Sequence, residues 1–334
     1  MSGTGNRQAV CVIGAGSWGT ALAMVLARHG REVRLLARDA DKAAAMQQTR
    51  SNEVYLPGIR FPEALRICSD RDEALDQAHA VVLATPCSAA ADYLPDLGAA
   101  GRGPVISAFK GLDPVSFERT DELLLRHVGA ERAVLLSGPS FAKEVASGLP
   151  TAITMAAADL GLAQKAATFF DDTSFRIYSS DDMTGVALGG ALKNVIAIAA
   201  GIAAGLHLGH NAEAAVVTRG LGELMRLAQS AGARKETLMG LSGLGDLVLT
   251  CTGELSRNRR LGIALADGLN PEQAQASLGQ VAEGVRTAAA AHSMARAMEV
   301  DVPLMEAVHL VLQQKLAAAT AVSRLMARPE RSEF

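Results

Sequence analysis

Among the residues able to move a proton, Lys193 draws attention because positions 189, 190, 196 and 197, its neighbours on one helical face, are Gly, Gly, Ile and Ala. A buried ammonium without a partner is costly. This lysine must reach water, lower its pKa, or meet a carboxylate brought by another segment. Asp246 offers one in the glycine-rich stretch 240–250 (GLSGLGDLVLT), and an acid flanked by glycines and apolar residues has the same need. The pair suits general acid/base chemistry, and it equally suits a structural ion pair. Farther on, Ser256-Arg257-Asn258-Arg259-Arg260 opens a predicted helix after the Gly253 turn. Guanidinium groups beside a helix N-terminus make a receptor for a phosphate monoester. The plainer reading, an exposed basic turn, is favoured for Arg259 and Arg260.

A second chemistry is written near the start. Gly14-Ala15-Gly16-Ser17-Trp18-Gly19 sits between a predicted strand and the helical run TALAMVLARHG. In that context Gly14 permits the tight turn, Gly16 lets backbone approach a pyrophosphate, and Gly19 lets helix and strand pack closely. The helix N-terminus then faces the phosphates of a dinucleotide. The next strand, VRLLA, ends in Arg38, with Asp39 one place later. An arginine there can meet the 2′-phosphate of NADP, whereas Asp39 could bind the ribose of NAD. Two more loops follow predicted strands, where α/β folds bind ligands: Phe109-Lys110-Gly111 and Ser137-Gly138-Pro139-Ser140-Phe141-Ala142. Alone, Lys110 reads as a solvated loop lysine and the second loop as a turn; their shared placement moves both toward a site.

These residues need a scaffold that carries them. The first half alternates β-branched runs with amphipathic stretches, and predicts strands at 9–13, 32–37, 80–84, 104–108, 133–137, 151–156 and 175–179. Helices are predicted between them, among others at 20–29, 40–48 and 118–127. The expected fold is α/β, a Rossmann-type, doubly wound, mainly parallel sheet followed by an all-α C-terminal domain. Helices are predicted at 183–206, 212–231, 257–266, 271–276, 285–297 and, with a break, 303–325. The expected domains are 1–182 for the dinucleotide and 183–326 for the substrate, with a charged tail at 327–334.

Composition narrows the partners. With 49% apolar and 20% charged residues, the 334-residue chain can bury two cores, and a net charge of −3 gives no broad positive field for nucleic acid or anionic membrane. A small molecule is the expected partner, and a homodimer stays open. Cys11, Cys68, Cys87 and Cys251 lack metal-binding or disulfide spacing, so neither a metal nor a bridge is expected. Residues 1–8 lack a basic and an apolar region, which predicts no secretory signal and a cytoplasmic protein. The run 186–206 is long enough to span a bilayer, but Lys193 and Asn194 at its centre, with Ala and Gly around them, predict a buried helix instead.

Taken in order, these segments resemble the bacterial type of NAD(P)-dependent glycerol-3-phosphate dehydrogenase, over about residues 9 to 325. The most specific element is Gly190-Ala191-Leu192-Lys193-Asn194-Val195-Ile196-Ala197. GAGSWGTALA, Tyr55-Leu56-Pro57-Gly58, FKGL, SGPSFAKE, Thr218-Arg219-Gly220, GLGDLVLTC and SRNRRLG support it. The resemblance implies reversible hydride transfer between NAD(P)H and dihydroxyacetone phosphate, giving sn-glycerol 3-phosphate for phospholipid synthesis. It implies Lys193 as general acid/base, Asp246 as its support, and Lys110 as a catalytic-site lysine touching substrate and cofactor. Gly138, Ser140, Ser256, Arg257 and Asn258 would surround substrate. Ser17, Trp18, Arg38, Ala142, Arg257, Val281 and Glu283 would contact cofactor beside Gly14, Gly16 and Gly19. The family often carries a basic residue shortly before YLPG, where this chain has Glu53-Val54. That leaves less help for a 2′-phosphate and keeps NAD in play, while Arg38 makes NADPH the expected preference. A β-hydroxyacid dehydrogenase is the nearest rival; a non-catalytic dinucleotide sensor would have no need of Lys193, Asp246 and Arg257 together.

The expected outcome for Arg38→Ala is a higher KM for NADPH and an almost unchanged KM for NADH, because one charge-assisted bond to the 2′-phosphate is lost. Steady-state kinetics with each cofactor check this; equal losses with both would give Arg38 another job.

Overall fold

The computed structural model describes residues 8–100, 103–113, 116, 118–170, 172–279 and 282–329. The chain forms two compact units, which divide between Ala187 and Leu188.

The first unit is built on a sheet. Its strands are β1 (Val10–Ile13), β2 (Val33–Leu36), β3 (Ser51–Asn52), β4 (Leu56–Arg60), β5 (Leu65–Cys68), β6 (Ala80–Leu83), β7 (Val105–Ser107), β8 (Ala133–Ser137), β9 (Thr151–Ala156) and β10 (Phe175–Ser180). Eight of them form one sheet in the order β10-β9-β8-β7-β6-β1-β2-β5, while β3 and β4 pair separately as an antiparallel ribbon. Every pairing in the large sheet is parallel except β8 with β9. The strand order reverses beside β1, so the crevice beyond its carboxyl end is where such sheets bind ligands. All seven strands expected from the sequence are present, with ends shifted by a residue or two. The sequence reading did not include β3, β4 and β5. β5 is an edge strand with an exposed arginine, and β4 carries Pro57 and Gly58, so neither has the continuous apolar run of the central strands.

Both faces of the sheet are covered, as parallel strands require. Val10, Val12, Leu22, Val25, Leu35 and Ile153 belong to one buried cluster. Ile13, Leu83, Leu94, Val105, Leu124 and Val186 belong to the other. Fully burying one such side chain contributes about 1.5–3 kcal/mol.

Among its described residues, the second unit's only regular elements are helices joined by turns. It takes most of Met183–Gly205, then His210–Ser230, Lys235–Leu238, a π-helical turn at Leu241–Gly245, and Asp246–Thr252. Arg257–Ala266, Pro271–Ser277, Gly284–Ala297, Pro303–Leu312 and Ala318–Met326 complete it. The expected break in 303–325 falls after Leu312. Met183–Gly205 is long and apolar enough to cross a membrane, yet its most apolar window is wholly buried within the protein. Small residues explain how. A Cβ on Gly201 would lie 2.0 Å from the Arg259 carbonyl oxygen, and one on Gly262 would lie 2.1 Å from that of Ile198. The two helices touch backbone to backbone, which leucine-rich helices cannot do.

One buried carboxylate ties this unit together. Glu223, 3% exposed on His210–Ser230, accepts the backbone N–H of Leu304 at 2.8 Å and of Met305 at 3.0 Å. These are donors that the start of Pro303–Leu312 cannot satisfy itself. Burial pushes the Glu223 carboxyl up to about 7, and nearby Asp301 adds to the rise, against the two N–H groups and Arg226, which hold it down.

Unfolded, that carboxyl titrates near its ordinary 4.5, so between about 4.5 and about 7 the folded chain keeps a proton that the unfolded chain releases. The stability it contributes is full below that window and is lost as pH rises through it. His309 has the opposite slope: burial first, then His292, stacked on it at 4.4 Å, and Lys315 hold its pKa below 6.5 against Glu306. Glu223→Gln leaves His309 intact. Urea unfolding at pH 5 and pH 7 is expected to show a smaller loss of stability with rising pH in Glu223→Gln than in the parent; parallel slopes would show that Glu223 does not titrate there.

Candidate functional site

In the first unit the glycine turn follows from its sequence residue by residue. Gly14, at φ 109°, lies so close to β6 that a Cβ would sit 2.8 Å from the Ala84 carbonyl oxygen. A Cβ on Gly19 would sit 1.9 Å from the carbonyl oxygen of Gly14, so only glycine lets the helix begin here. Gly16 differs from both, for a Cβ there would meet nothing within 4 Å. It precedes Ser17–Ala27, whose N-terminus has no side-chain cap. An open approach to uncapped N–H groups fits a pyrophosphate. Trp18 is anchored by its indole N–H, which donates to the Ala108 carbonyl at 3.1 Å.

At the end of β2, Arg38 is exposed. Asp39 caps Ala40–Thr49 by accepting the Lys42 N–H at 3.1 Å, and that bond is the main reason its carboxyl sits below the usual range. The acid that could have met a ribose is thus engaged in starting a helix.

Beyond β7 and β8 the two loops meet. Lys110 Nζ donates to the Gly138 carbonyl at 3.0 Å, and the Ser140 hydroxyl donates to the same oxygen at 2.9 Å. Gly138 adopts φ 149° with Ile153 against it, leaving no room for a side chain. Ala142 begins the short helix Ala142–Ala146. Arg28 closes the end of that helix by donating to the Val145 and Ala146 carbonyls at 2.6 and 2.8 Å. An ion pair to Asp172 at 2.9 Å holds Arg28 in turn.

In the second unit Lys193 and Asp246 are 6% and 1% exposed and form a direct ion pair. The helix–loop packing explains how they meet. Gly189 admits the π-helical turn so closely that a Cβ would lie 2.7 Å from the Ser242 carbonyl oxygen, and Gly243 is pressed in the same way onto Leu238. The turn delivers Asp246 as the first residue of Asp246–Thr252. Thr250, one turn along, accepts a hydrogen bond from Lys193 Nζ at 3.0 Å and donates its own proton to the Asp246 carbonyl at 2.6 Å.

Nearby in the same unit, Ser256 caps Arg257–Ala266 by accepting the Arg259 N–H at 3.2 Å. Buried Asn258 donates to the Asn194 side-chain oxygen at 2.9 Å and accepts the Gly284 N–H at 3.0 Å. Arg257 and Arg260 are exposed at the start of the helix, and Glu283, just before Gly284–Ala297, is half-buried. Arg259 departs from the expected exposed turn: its side chain is 19% exposed and faces Glu213 at 3.9 Å. Val281, expected at the cofactor, lies outside the described residues.

Sequence reasoning missed Thr250, Arg28 and Asn52. Thr250 sits one helical turn after Asp246, which is a readable signal once that segment is taken as a helix. Arg28 carries no local signal, since its partners come from distant segments.

Comparison with known proteins agrees along the whole length. Residues 9–163 match the family model for the NAD-dependent glycerol-3-phosphate dehydrogenase N-terminus, and residues 182–323 match that for its C-terminus. The chain is 49% identical over 328 residues to the glycerol-3-phosphate dehydrogenase (NAD(P)+) of Thioalkalivibrio sulfidiphilus, covering 97% of this chain and 98% of that protein. It is 46% identical over 326 residues to that of Halorhodospira halophila, covering 97% and 98%. The crystal structure of glycerol-3-phosphate dehydrogenase from Coxiella burnetii superposes with a TM-score of 0.91 at 39% identity, covering 96% of this chain and 99% of that one.

Because Asp246 is buried, Lys193→Ala takes away the ammonium with which its carboxylate is paired. The expected result is a loss of about 3–5 kcal/mol in stability, the usual cost of breaking a buried pair by removing one partner, together with a fall in turnover of about 10²- to 10⁴-fold. The double variant Lys193→Ala/Asp246→Ala should recover much of the stability and none of the turnover. Denaturant unfolding and initial rates separate the two effects; turnover within threefold of the parent would remove Lys193 from the mechanism.

Proposed function

The chain belongs to the NAD(P)-dependent glycerol-3-phosphate dehydrogenase family, and from that premise we propose which of its residues carry the interconversion of dihydroxyacetone phosphate and sn-glycerol 3-phosphate. The observation that carries the proposal is the buried Lys193–Asp246 pair, with Thr250 on the same ammonium.

Lys193 is the proton donor to the substrate's carbonyl oxygen during reduction, and it takes the hydroxyl proton back during oxidation. Asp246, with Thr250, fixes where the lysine's ammonium points. A nicotinamide, when bound, would supply or accept the hydride at C2. Gly14, Gly16, Ser17, Trp18 and Gly19 hold the dinucleotide, with Ala142, Val281 and Glu283 as further contacts, and Arg38 selects the 2′-phosphate and so NADPH over NADH. That preference is supported by the exposed arginine at the end of β2 and by the engagement of Asp39 as a helix cap. Lys110, Gly138 and Ser140 carry the family's expectation of substrate contact. Residues 1–182 serve the cofactor and 183–326 the substrate. The burial of Met183–Gly205 supports a protein with no membrane span, and we place it in the cytoplasm, feeding glycerol phosphate to phospholipid synthesis, with a homodimer as its open assembly.

Arg257 receives the substrate phosphate. It stands exposed at the first position of Arg257–Ala266, a helix whose N-terminus favours an anion. The Asn258 amide, held between Asn194 and Gly284, fixes the start of the same helix. Binding energy from the phosphate is then available to orient the carbonyl.

For Arg257→Ala, kcat/KM for dihydroxyacetone phosphate should fall by an amount on the order of 2 to 4 kcal/mol, by analogy with truncating one partner of a desolvated charge pair. Unphosphorylated dihydroxyacetone, poor with either enzyme, should be nearly unaffected. Equal losses with both substrates would mean that Arg257 serves the cofactor or the fold.

A further inference from the structure

The glycine turn does not hold itself. Asn52, on the ribbon strand β3, is 2% exposed. Its side-chain amide donates to the Ala15 carbonyl at 3.0 Å and to the Thr20 hydroxyl at 2.9 Å. Its side-chain oxygen accepts the Tyr55 N–H at 3.3 Å. Ala15 lies between Gly14 and Gly16, and Thr20 is buried in the first turn of Ser17–Ala27. One amide therefore spans the turn from its loop side to its helix side. A tight turn with two flanking glycines has backbone freedom to spare. Fixing the Ala15 carbonyl fixes the peptide plane that it shares with the N–H of Gly16, the residue that begins Ser17–Ala27 as its N-cap. Asn52 also cannot be exchanged for a simple polar residue: it donates twice and accepts once, and aspartate, which can only accept when ionised, would face the Ala15 carbonyl, which can only accept as well.

We propose that Asn52 is a positioning residue for the dinucleotide, orienting the Gly14–Gly19 turn toward the pyrophosphate; this rests on reading that turn as the cofactor cradle. The pyrophosphate is common to NAD and NADP, so Asn52 acts equally on both, in contrast to Arg38. Because Asn52 touches neither the reacting atoms nor Lys193 in any contact described, it acts on cofactor affinity and leaves the chemical step alone.

The chain's single tryptophan, Trp18, lies inside this turn, so its emission reports binding without turnover. Titrating the full-length protein with NADH and with NADPH gives Kd for each. Asn52→Ala should raise both Kd values about tenfold, the weight of one to two hydrogen bonds, with kcat at saturating cofactor within twofold of the parent. Thr20→Val keeps the volume and removes one of the two acceptors; it should raise both Kd values two- to fourfold with little change in melting temperature. Unchanged Kd values in folded Asn52→Ala, an effect on one cofactor alone, or an equal fall in kcat at saturation would overturn the proposal. Should Asn52→Ala fail to fold, Thr20→Val decides, and unchanged affinity there overturns it. An absence of any Trp18 response in the parent protein would instead count against the turn as the cradle.

Discussion

An ammonium and a carboxylate removed from water each cost several kcal/mol after relaxation, and that cost is offset only when their geometry and remaining hydrogen bonds are good. Lys193 and Asp246 meet that condition, and much of the second unit is arranged so that they can. A long helix of Gly and Ala allows the π-helical turn to approach its backbone. The turn brings Asp246 in, and the next turn of helix brings Thr250 beside the ammonium. Without Asp246 the buried ammonium loses its carboxylate, and without Thr250 it loses a hydrogen-bond acceptor. The pair's contribution to net stability can be small while its demand on the surrounding sequence is large.

The first unit answers a different constraint. In its glycine turn the decisive residues are those without side chains and those that hold the chain around them. Gly14 and Gly19 create the turn by their lack of a Cβ. Trp18 and Asn52 hold it through Ala108 and the β3–β4 ribbon, while Arg28 ties the far end of Ser17–Ala27 to the Ala142–Ala146 helix. The Lys110–Gly138–Ser140 group follows the same logic, for a single carbonyl collects both side chains. At the edge of this arrangement Asp39 starts a helix and the exposed Arg38 precedes it.

What could be read in advance divides along physical lines. The central strands were legible because burial on both faces leaves continuous β-branched runs, and the glycine turn because each glycine answers one steric need. Lys193 was legible as a charge among apolar neighbours, and Asp246 as its mirror. The β3–β4 ribbon was not, since two residues of strand with a proline and a glycine opposite have no periodicity to detect. The π-helical turn was hidden for a related reason: a run of glycines permits many conformations, and packing against Gly189 selects among them. Arg28 and Asn52 lie beyond local reading altogether, because their partners are far away in sequence. The half-buried state of Arg259 belongs with them, as it depends on Glu213 of another helix.

The backbone contact between Met183–Gly205 and Arg257–Ala266 limits how this enzyme can be hardened against heat. Exchanging glycine for alanine within helices is a standard route to thermostability, worth about 0.4–1 kcal/mol where the backbone conformation is compatible. Gly201, Gly205 and Gly262 look like candidates in a sequence, yet a methyl group at each would strike the facing helix. The two helices would have to separate, and one of them carries Lys193. An engineer seeking rigidity should leave these three positions alone and look to Gly222, where the nearest obstacle is the far end of the flexible Arg226 side chain at 3.5 Å.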